Sequence, residues 1–399
     1  MGTMTIDEAL TRRVDKILPS KEGLRQLMEK GKIRLYQGFD PSKPDLHIGH
    51  LVGLLQLKAF QDLGHEVIFL IGDFTGMIGD PTDKSETRAK LTRKQVEENA
   101  KTYQKQAGRI LRFEGKNAAR MRFNSEWLKK LTLADVIELS SNFTVQQLIE
   151  RDMFQKRIGD KKPIFLHEFM YPSLVTYDAI VLKVDLEIGG GDQLFNMTVG
   201  RPLIKQQINK DKFVLTTKLL ADAAGNKIGK TAGNAINLFA DANDLYGQIM
   251  SLSDEVVIEA FRLITEVPLA VIDDLAAEMK TRPMAVKKQL AFEVTKLCQG
   301  KEVAQAAQKH FELTVQGGKV PEKIATVPNW KTPLTASATV ARMVPDTTHS
   351  EIKRLMRQGG VEWNGVVITD VTKMITPKSG DVLKLGKRTF VRVKTDESK

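Results

Sequence analysis

The chain has 399 residues, 42% hydrophobic and 27% charged, with one cysteine and a formal net charge of +11. That size predicts two or three domains with real cores, and the composition excludes a mostly disordered or fibrous chain. A single cysteine excludes an internal disulfide and a cysteine-only zinc site, and no apolar run approaches the ~18 residues that span a bilayer. The first residues, Met1 to Leu18, lack an apolar signal core, so a cytoplasmic, soluble protein without membrane contact is expected. The positive charge makes a polyanionic partner or an anionic substrate the expected company.

Residues 33–240 alternate short apolar runs with helical patterns. Ile33 to Phe39 reads as a strand. A helix begins near Gly49, carries Leu51, Leu54, Leu55 and Leu57, and stops at Gly64; Glu66 to Ile71 is the next strand. Strand, helix, strand is a βαβ unit, so a parallel sheet with a right-handed crossover is predicted. Ligands of such sheets sit at the carboxyl ends of strands, which puts Phe39-Asp40 and Gly72-Asp73 on the functional rim. From about 242 to 312 the pattern is all-helical. One helix runs from Ser251 to Thr265, capped by Ser251 or Ser253, and another has Pro283 in its first turn and Val286, Leu290, Val294 and Leu297 at helical spacing. Residues 313–334, with Gly317, Gly318, Pro321, Pro328 and Pro333, read as a linker. A short α-then-β module follows, to about 395. From Lys331 onward the chain holds 13 Lys and Arg against 7 Asp and Glu, so over half of the net charge sits there.

Two motifs stand out. In Asp40-Pro-Ser-Lys-Pro-Asp-Leu-His47-Ile-Gly49-His50, two histidines flank a glycine where a loop enters a helix. Free N–H groups at a helix start attract phosphate, and Gly49 lets a nucleotide approach the backbone. A metal pair or a plain helix cap would use the same residues. The second motif, Gly225-Asn-Lys227-Ile-Gly-Lys230-Thr231, is either an exposed basic turn or a mobile cationic loop that closes over a polyphosphate. With Ala224 in place of the first glycine, it is not a Walker A loop.

Together, His47-Ile-Gly-His50 followed by Lys227-Ile-Gly-Lys230-Thr231 resembles a class I aminoacyl-tRNA synthetase. Leu35-Tyr36-Gln-Gly38-Phe-Asp40-Pro, Gly76-Met-Ile-Gly-Asp80-Pro and Gly189-Gly190-Gly-Asp192-Gln193 resemble the bacterial tyrosyl-tRNA synthetases in particular, and Ser350 to Val361 with Asn364-Gly365 and Gly380-Asp381 resembles an S4 RNA-binding module. The resemblance spans nearly the whole chain. It implies a Rossmann-like catalytic domain over 1–240 with a dimer-forming insertion, a helical anticodon-binding domain over 241–320, a linker over 321–334 and an S4-like α+β module over 335–399. It implies a homodimer that joins L-tyrosine to tRNA(Tyr), using ATP with Mg²⁺ and no structural metal held by the protein. By the same resemblance His47, His50, Lys227, Lys230 and Thr231 act on the ATP phosphates, and Gly38, Asp40, Gly49, Gly190 and Asp192 line the adenylate site. Tyr36 and Asp178 meet the tyrosine hydroxyl, Thr75, Asp80 and Tyr171 lie around its amino group, and Gln193 lies near its carboxylate. Lys353, Arg354, Arg357, Lys384, Lys387 and Arg388 are the RNA-facing cations.

The chain departs from that family's usual pattern in three places. Val175 stands where a glutamine usually binds the amino group, Ile228-Gly229 replaces the commoner Met-Ser between the lysines, and Gly191 removes a hydroxyl before Asp192. These bear on affinity and specificity, not on reaction class. Two other readings compete. One is a different adenylate-forming enzyme on the same fold, a tryptophanyl-tRNA synthetase or a nucleotidyltransferase. The other is an RNA-binding protein that has lost or supplemented catalysis; the intact histidines and lysines argue against the loss, not against an added role.

Overall fold

Short apolar runs build a six-stranded sheet from β1 (Val14–Leu18), β2 (Arg34–Phe39), β3 (Glu66–Ile71), β4 (Arg120–Phe123), β5 (Leu186–Gly190) and β6 (Phe213–Thr217). The structure, a computed structural model, describes residues 4–82, 91–221, 228, 236–316, 324–386 and 389–394. It falls into two compact units, Met1–Ala304 and Gln305–Lys399. In the first, the strand order is β1-β6-β5-β2-β3-β4, with β2 to β6 parallel and β1 antiparallel on β6. The expected α/β fold with a parallel sheet is what forms. Val67 to Ile71 are all buried because helices cover both faces, which is why the strand reads as one apolar run. The chain leaves β2 toward β3 and β4 on one side and returns to β5 on the other. Such a reversal opens a crevice at the carboxyl ends of the two strands beside it.

The crossover helix from β2 to β3 spans Ile48–Asp62 and is buried along most of its length. Two interior glutamines tie it to its surroundings: Gln56 Nε2 donates to the Ala9 carbonyl at 2.6 Å and Gln61 Nε2 to that of Arg112 at 2.8 Å. Gly64, at φ +92°, takes the left-handed turn after it. On another face, helix Leu166–Leu182 packs Leu174, Ala179 and Leu182 into one core with Tyr36, Ile68, Leu70, Trp127 and Leu128. Its first turn is tied down by Arg157, fully buried, whose guanidinium makes two bonds to Glu168 at 2.6 and 3.1 Å. Arg157→Ala is expected to destabilise the protein by about 3–5 kcal/mol, because it strands the Glu168 carboxylate in the interior. Denaturant unfolding of the variant measures this.

The helical region forms as Ala242–Met250, Asp254–Ile264, Leu269–Glu278 and Pro283–Gln299. Ser253 is the N-cap of the second helix. The last buries Val286, Leu290, Val294 and Cys298, the true continuation of that spacing, and leaves Leu297 half-buried. Expected as a separate domain over 241–320, these helices lie in the same compact unit as the sheet. The physical reason precedes β1: buried Arg12 and Arg13 donate to the carbonyls of Arg262, Leu263, Thr265 and Val267 at 2.5–3.0 Å. They satisfy the carbonyl end of helix Asp254–Ile264.

Among its described residues the second unit has helices Ala336–Met343 and His349–Arg357 and seven strands: β7 (Ala325–Val327), β8 (Leu334–Thr335), β9 (Val361–Trp363), β10 (Val366–Val367), β11 (Met374–Ile375), β12 (Val382–Leu385) and β13 (Thr389–Val393). Five form a sheet in the order β10-β9-β12-β13-β7, and β8 pairs with β11. Ala336, Val340, Ile352, Met356, Val361, Leu383 and Val393 are its core. Part of the stretch expected as a linker is therefore structural, since β7 pairs parallel with β13. No helix among the described residues is long and apolar enough to cross a membrane.

Candidate active site

A cavity of about 600 Å³ opens at the carboxyl ends of β2 and β5, within the size range of small-molecule sites. The residues predicted from widely separated motifs converge on it. Tyr36, Gly38, Asp40, His47, Gly49, His50, Thr75, Asp80, Tyr171, Val175, Asp178, Gly190, Asp192 and Gln193 all line it. Lys227, Lys230 and Thr231 lie outside the described residues, as do Lys387 and Arg388. Lys353, Arg354 and Arg357 are exposed on helix His349–Arg357, where Arg354 also pairs with Glu351 at 2.5 Å. Lys384 is half-buried and pairs with Glu362 at 2.7 Å.

The most deeply buried part of the lining is ionisable. Asp178, on helix Leu166–Leu182, accepts from Trp127 Nε1 at 2.7 Å and Asn124 Nδ2 at 3.2 Å. Burial pushes its carboxyl well above the ordinary value, against the pull of those two donors. Tyr36 does not spend its proton on Asp178. Its hydroxyl donates to Glu187 Oε1 at 2.6 Å, and Lys212 donates to Glu187 Oε2. Burial first, then the charge of Glu187, raises the Tyr36 hydroxyl far above the usual phenol range, so it stays protonated.

Beside this lies a hydrogen-bonded girdle. Asp40 accepts from Thr75 Oγ1 at 2.7 Å and from the Tyr171 hydroxyl at 2.9 Å, and Thr75 Oγ1 accepts from Asn124 Nδ2 at 3.0 Å. Gly72 is where the backbone must stay bare, since a Cβ there would stand 2.0 Å from Asp40 Oδ1 and 2.4 Å from Thr75 Oγ1. Asp80 accepts from Gln193 Nε2 at 2.7 Å and from Thr82 Oγ1 at 2.6 Å, and Arg151 donates to Thr82 Oγ1 at 2.7 Å. Asn196 Nδ2 donates to Gln193 Oε1 at 3.0 Å, while its own Oδ1 is buried with no hydrogen-bond partner. Tyr171, Asp80 and the apolar Val175 all line the cavity, the first two each bonded to a neighbour.

At the helix start, His47 is the N-cap and His50 the third residue after it. His47 Nδ1 accepts from the Gly49 N–H at 3.2 Å, and His50 Nδ1 accepts from the His47 N–H at 3.1 Å. A ring nitrogen that accepts carries no proton, so each imidazole keeps its proton on Nε2 and offers a donor there. The helix-cap reading and the ligand-binding reading are therefore both served by the same two rings.

Sequence reasoning missed Glu187, Lys212, Asn124, Trp127, Thr82, Arg151 and Asn196. Glu187 and Lys212 carried a signal, since a charge inside or next to the buried run of a parallel strand needs a partner.

The chain that builds this cavity has relatives among known proteins. A family model described as tRNA synthetases class I (W and Y) matches residues 28–316, and the chain belongs to that family. Within it, the chain is 44% identical to the tyrosine–tRNA ligase of Desulfotalea psychrophila, over 93% of this chain and 92% of that one. It is 39% identical to the Thermotoga maritima tyrosine–tRNA ligase, over 98% and 97%, and 40% to that of Haemophilus influenzae, over 98% of each. Among solved structures, the C-terminally truncated mitochondrial tyrosyl-tRNA synthetase of Coccidioides posadasii shares the fold at a TM-score of 0.65 and 24% identity, covering 76% of this chain and 91% of that one.

Proposed function

We propose that the chain is a tyrosine–tRNA ligase of the cytoplasm. Tyrosine's carboxylate attacks the α-phosphate of ATP, pyrophosphate leaves, and the tyrosyl group passes from the adenylate to the 3′ end of tRNA(Tyr). A carboxylate is already a nucleophile at neutral pH, so the first step needs no general base. It needs two reactants held in line and charge stabilised on the phosphates. The observation that carries this reading is the single cavity uniting Tyr36 and Asp178 with Asp40, His47 and His50.

In this reading Tyr36 and Asp178 take the substrate hydroxyl, and Asp80, Tyr171 and Thr75 surround its ammonium. Gln193 lies by its carboxylate, with Val175 replacing one polar contact. Gly38, Asp40, Gly49, Gly190 and Asp192 border the adenylate, and His47 and His50 donate through Nε2 to phosphate. Lys227, Lys230 and Thr231 grip the leaving pyrophosphate. Asp40 and Asp192, carboxylates of the cavity lining, could hold an Mg²⁺ carried on the ATP phosphates, which would neutralise phosphate charge.

The test is amino-acid-dependent ATP–pyrophosphate exchange without tRNA, comparing tyrosine, phenylalanine and tryptophan. Exchange with tyrosine alone is expected. Exchange with another amino acid would make Val175 the first suspect, and none with any would favour an RNA-binding role.

For the RNA side, the domain boundaries read from the sequence assign 335–399 to tRNA contact. Lys353→Ala/Arg354→Ala/Arg357→Ala is expected to weaken tRNA binding and flatten its salt dependence by about one unit of slope for each phosphate no longer neutralised, with pyrophosphate exchange unchanged. Filter binding over a salt series reads it. A homodimer is supported by exposed apolar side chains on the helices around 133–166: Leu133 is 76% exposed, Val145 62% and Leu166 79%. Leu133→Glu/Leu166→Glu is expected to shift the mass in sedimentation from two chains to one.

A further inference from the structure

We propose that Glu187 and Lys212 are specificity-determining positioning residues: they hold the Tyr36 proton away from the ligand, so that the buried end of the cavity offers only hydrogen-bond acceptors. The inference rests on the tyrosine reading given above.

Glu187 stands on β5 directly beside Tyr36 on β2, in the register of the parallel pair. Lys212 immediately precedes β6, the next strand over. Tyr36 is 1% exposed, Lys212 2% and Glu187 4%. An interior parallel strand is ordinarily apolar on both faces, and a buried ion pair is on average no more stable than hydrophobic side chains of the same size. Stability is a poor account of why this pair is here.

Proton arithmetic supplies a better one. A phenol has one proton and two lone pairs. The Tyr36 proton goes to Glu187 Oε1 at 2.6 Å. The other Glu187 oxygen accepts from Lys212 Nζ, so Glu187 accepts from both sides. What Tyr36 turns to the cavity is therefore a lone pair. Asp178 is likewise an acceptor in its carboxylate form, because its two partners, Trp127 Nε1–H and the Asn124 amide N–H, can only donate. A ligand that reaches this end must bring a proton. A phenol brings one, which pairs one of the two acceptors, whereas a benzyl ring brings none and leaves both desolvated and unpaired. Without Glu187 the Tyr36 hydroxyl could turn its proton to Asp178, whose charge acts on it in the same cavity. The two protein groups would then satisfy each other, and the penalty against phenylalanine would shrink.

The test removes the pair as a unit, since deleting one charge alone strands the other. Glu187→Leu/Lys212→Met is expected to lower the ratio of kcat/KM for tyrosine over phenylalanine in pyrophosphate exchange by about tenfold or more, the worth of one buried hydrogen bond to an otherwise unpaired group. Glu187→Gln/Lys212→Met returns a neutral acceptor to Tyr36 and is expected to restore most of the ratio. A merely structural role would lower both amino acids together in both variants and leave the ratio where it was. If the leucine variant does not fold, Lys212→Met alone carries the same expectation: the unpaired Glu187 neutralises itself by taking up a proton, donates it to Tyr36, and frees the Tyr36 proton to turn to Asp178. An unchanged ratio in a folded variant overturns the inference. Absence of tyrosine-dependent exchange in the unaltered protein would instead overturn the function it rests on.

Discussion

Asp178→Ala is expected to reduce the preference for tyrosine over phenylalanine in pyrophosphate exchange by about 10²-fold or more, chiefly through a higher KM for tyrosine. Asp178 is 3% exposed, and in the proposed reading its part is to meet the substrate hydroxyl. Its loss removes the acceptor that makes a phenol welcome, and alanine no longer penalises a ligand lacking one. Truncation also leaves Trp127 Nε1 without its acceptor, while Asn124 Nδ2 keeps Thr75 Oγ1, so a fall in stability of about 1–3 kcal/mol accompanies it. The selectivity ratio separates the two effects, because a loss of folded protein lowers both substrates alike. A second readout follows from acidity. Burial raises the Asp178 carboxyl, and the neighbouring charges of Glu187 and Asp40 raise it further. The form that accepts a phenol is the carboxylate. As pH falls through this elevated range the group takes up a proton, so tyrosine affinity is expected to drop at a higher pH than that at which an ordinary aspartate titrates. In the alanine variant that dependence should vanish. Tyrosine binding followed by fluorescence from neutral to weakly acidic buffer checks it.

How far this site was legible in the sequence depends on the distance between partners. The β2–helix–β3 unit could be read because its signals are local: a run of β-formers, an apolar helix, and Gly64 where the backbone must turn left-handed. Asp40, His47, Asp192 and Gln193 could be read because each sits in a short motif at the end of a strand. The family resemblance then placed Tyr36 and Asp178 in one pocket. The partner of Tyr36, however, is 151 residues away in Glu187, and only strand register brings the two together. Glu187 by itself looks like a polar residue at a strand edge. The same holds for the helical region. Its apolar spacing announced the helices, but the hydrogen bonds that join it to the sheet's unit run about 250 residues back to Arg12 and Arg13. A three-residue strand such as Ala325–Val327 gives no periodicity to read between prolines and glycines, and pairing with β13 is what makes it a strand.

His50→Ala is expected to slow adenylate formation by about 10²–10³-fold while leaving tyrosine affinity unchanged, the signature of a donor that matters when charge builds on the phosphates. The argument starts from the ring's own bonds. His50 Nδ1 accepts the His47 backbone N–H at 3.1 Å, so the proton is on Nε2 and the ring is a neutral donor lining the cavity. The adjacent His47 ring, 3.8 Å away between centroids, is fixed in the same tautomer by the Gly49 N–H. Two neutral donors at a helix start can grip an anion without the like-charge repulsion that two imidazolium rings would suffer. Alanine removes the donor and also half of the capping box, which costs about 1 kcal/mol of helix stability. His50→Gln distinguishes these contributions. Its side-chain oxygen can still accept from the His47 N–H, as glutamine does at this position of a capping box, but its amide cannot place a donor where the imidazole Nε2 stood. If the histidines serve only as caps, the glutamine variant should form adenylate in single-turnover experiments as fast as the unaltered chain. If they act on the transition state, it should be as folded as the unaltered chain and nearly as slow as the alanine variant.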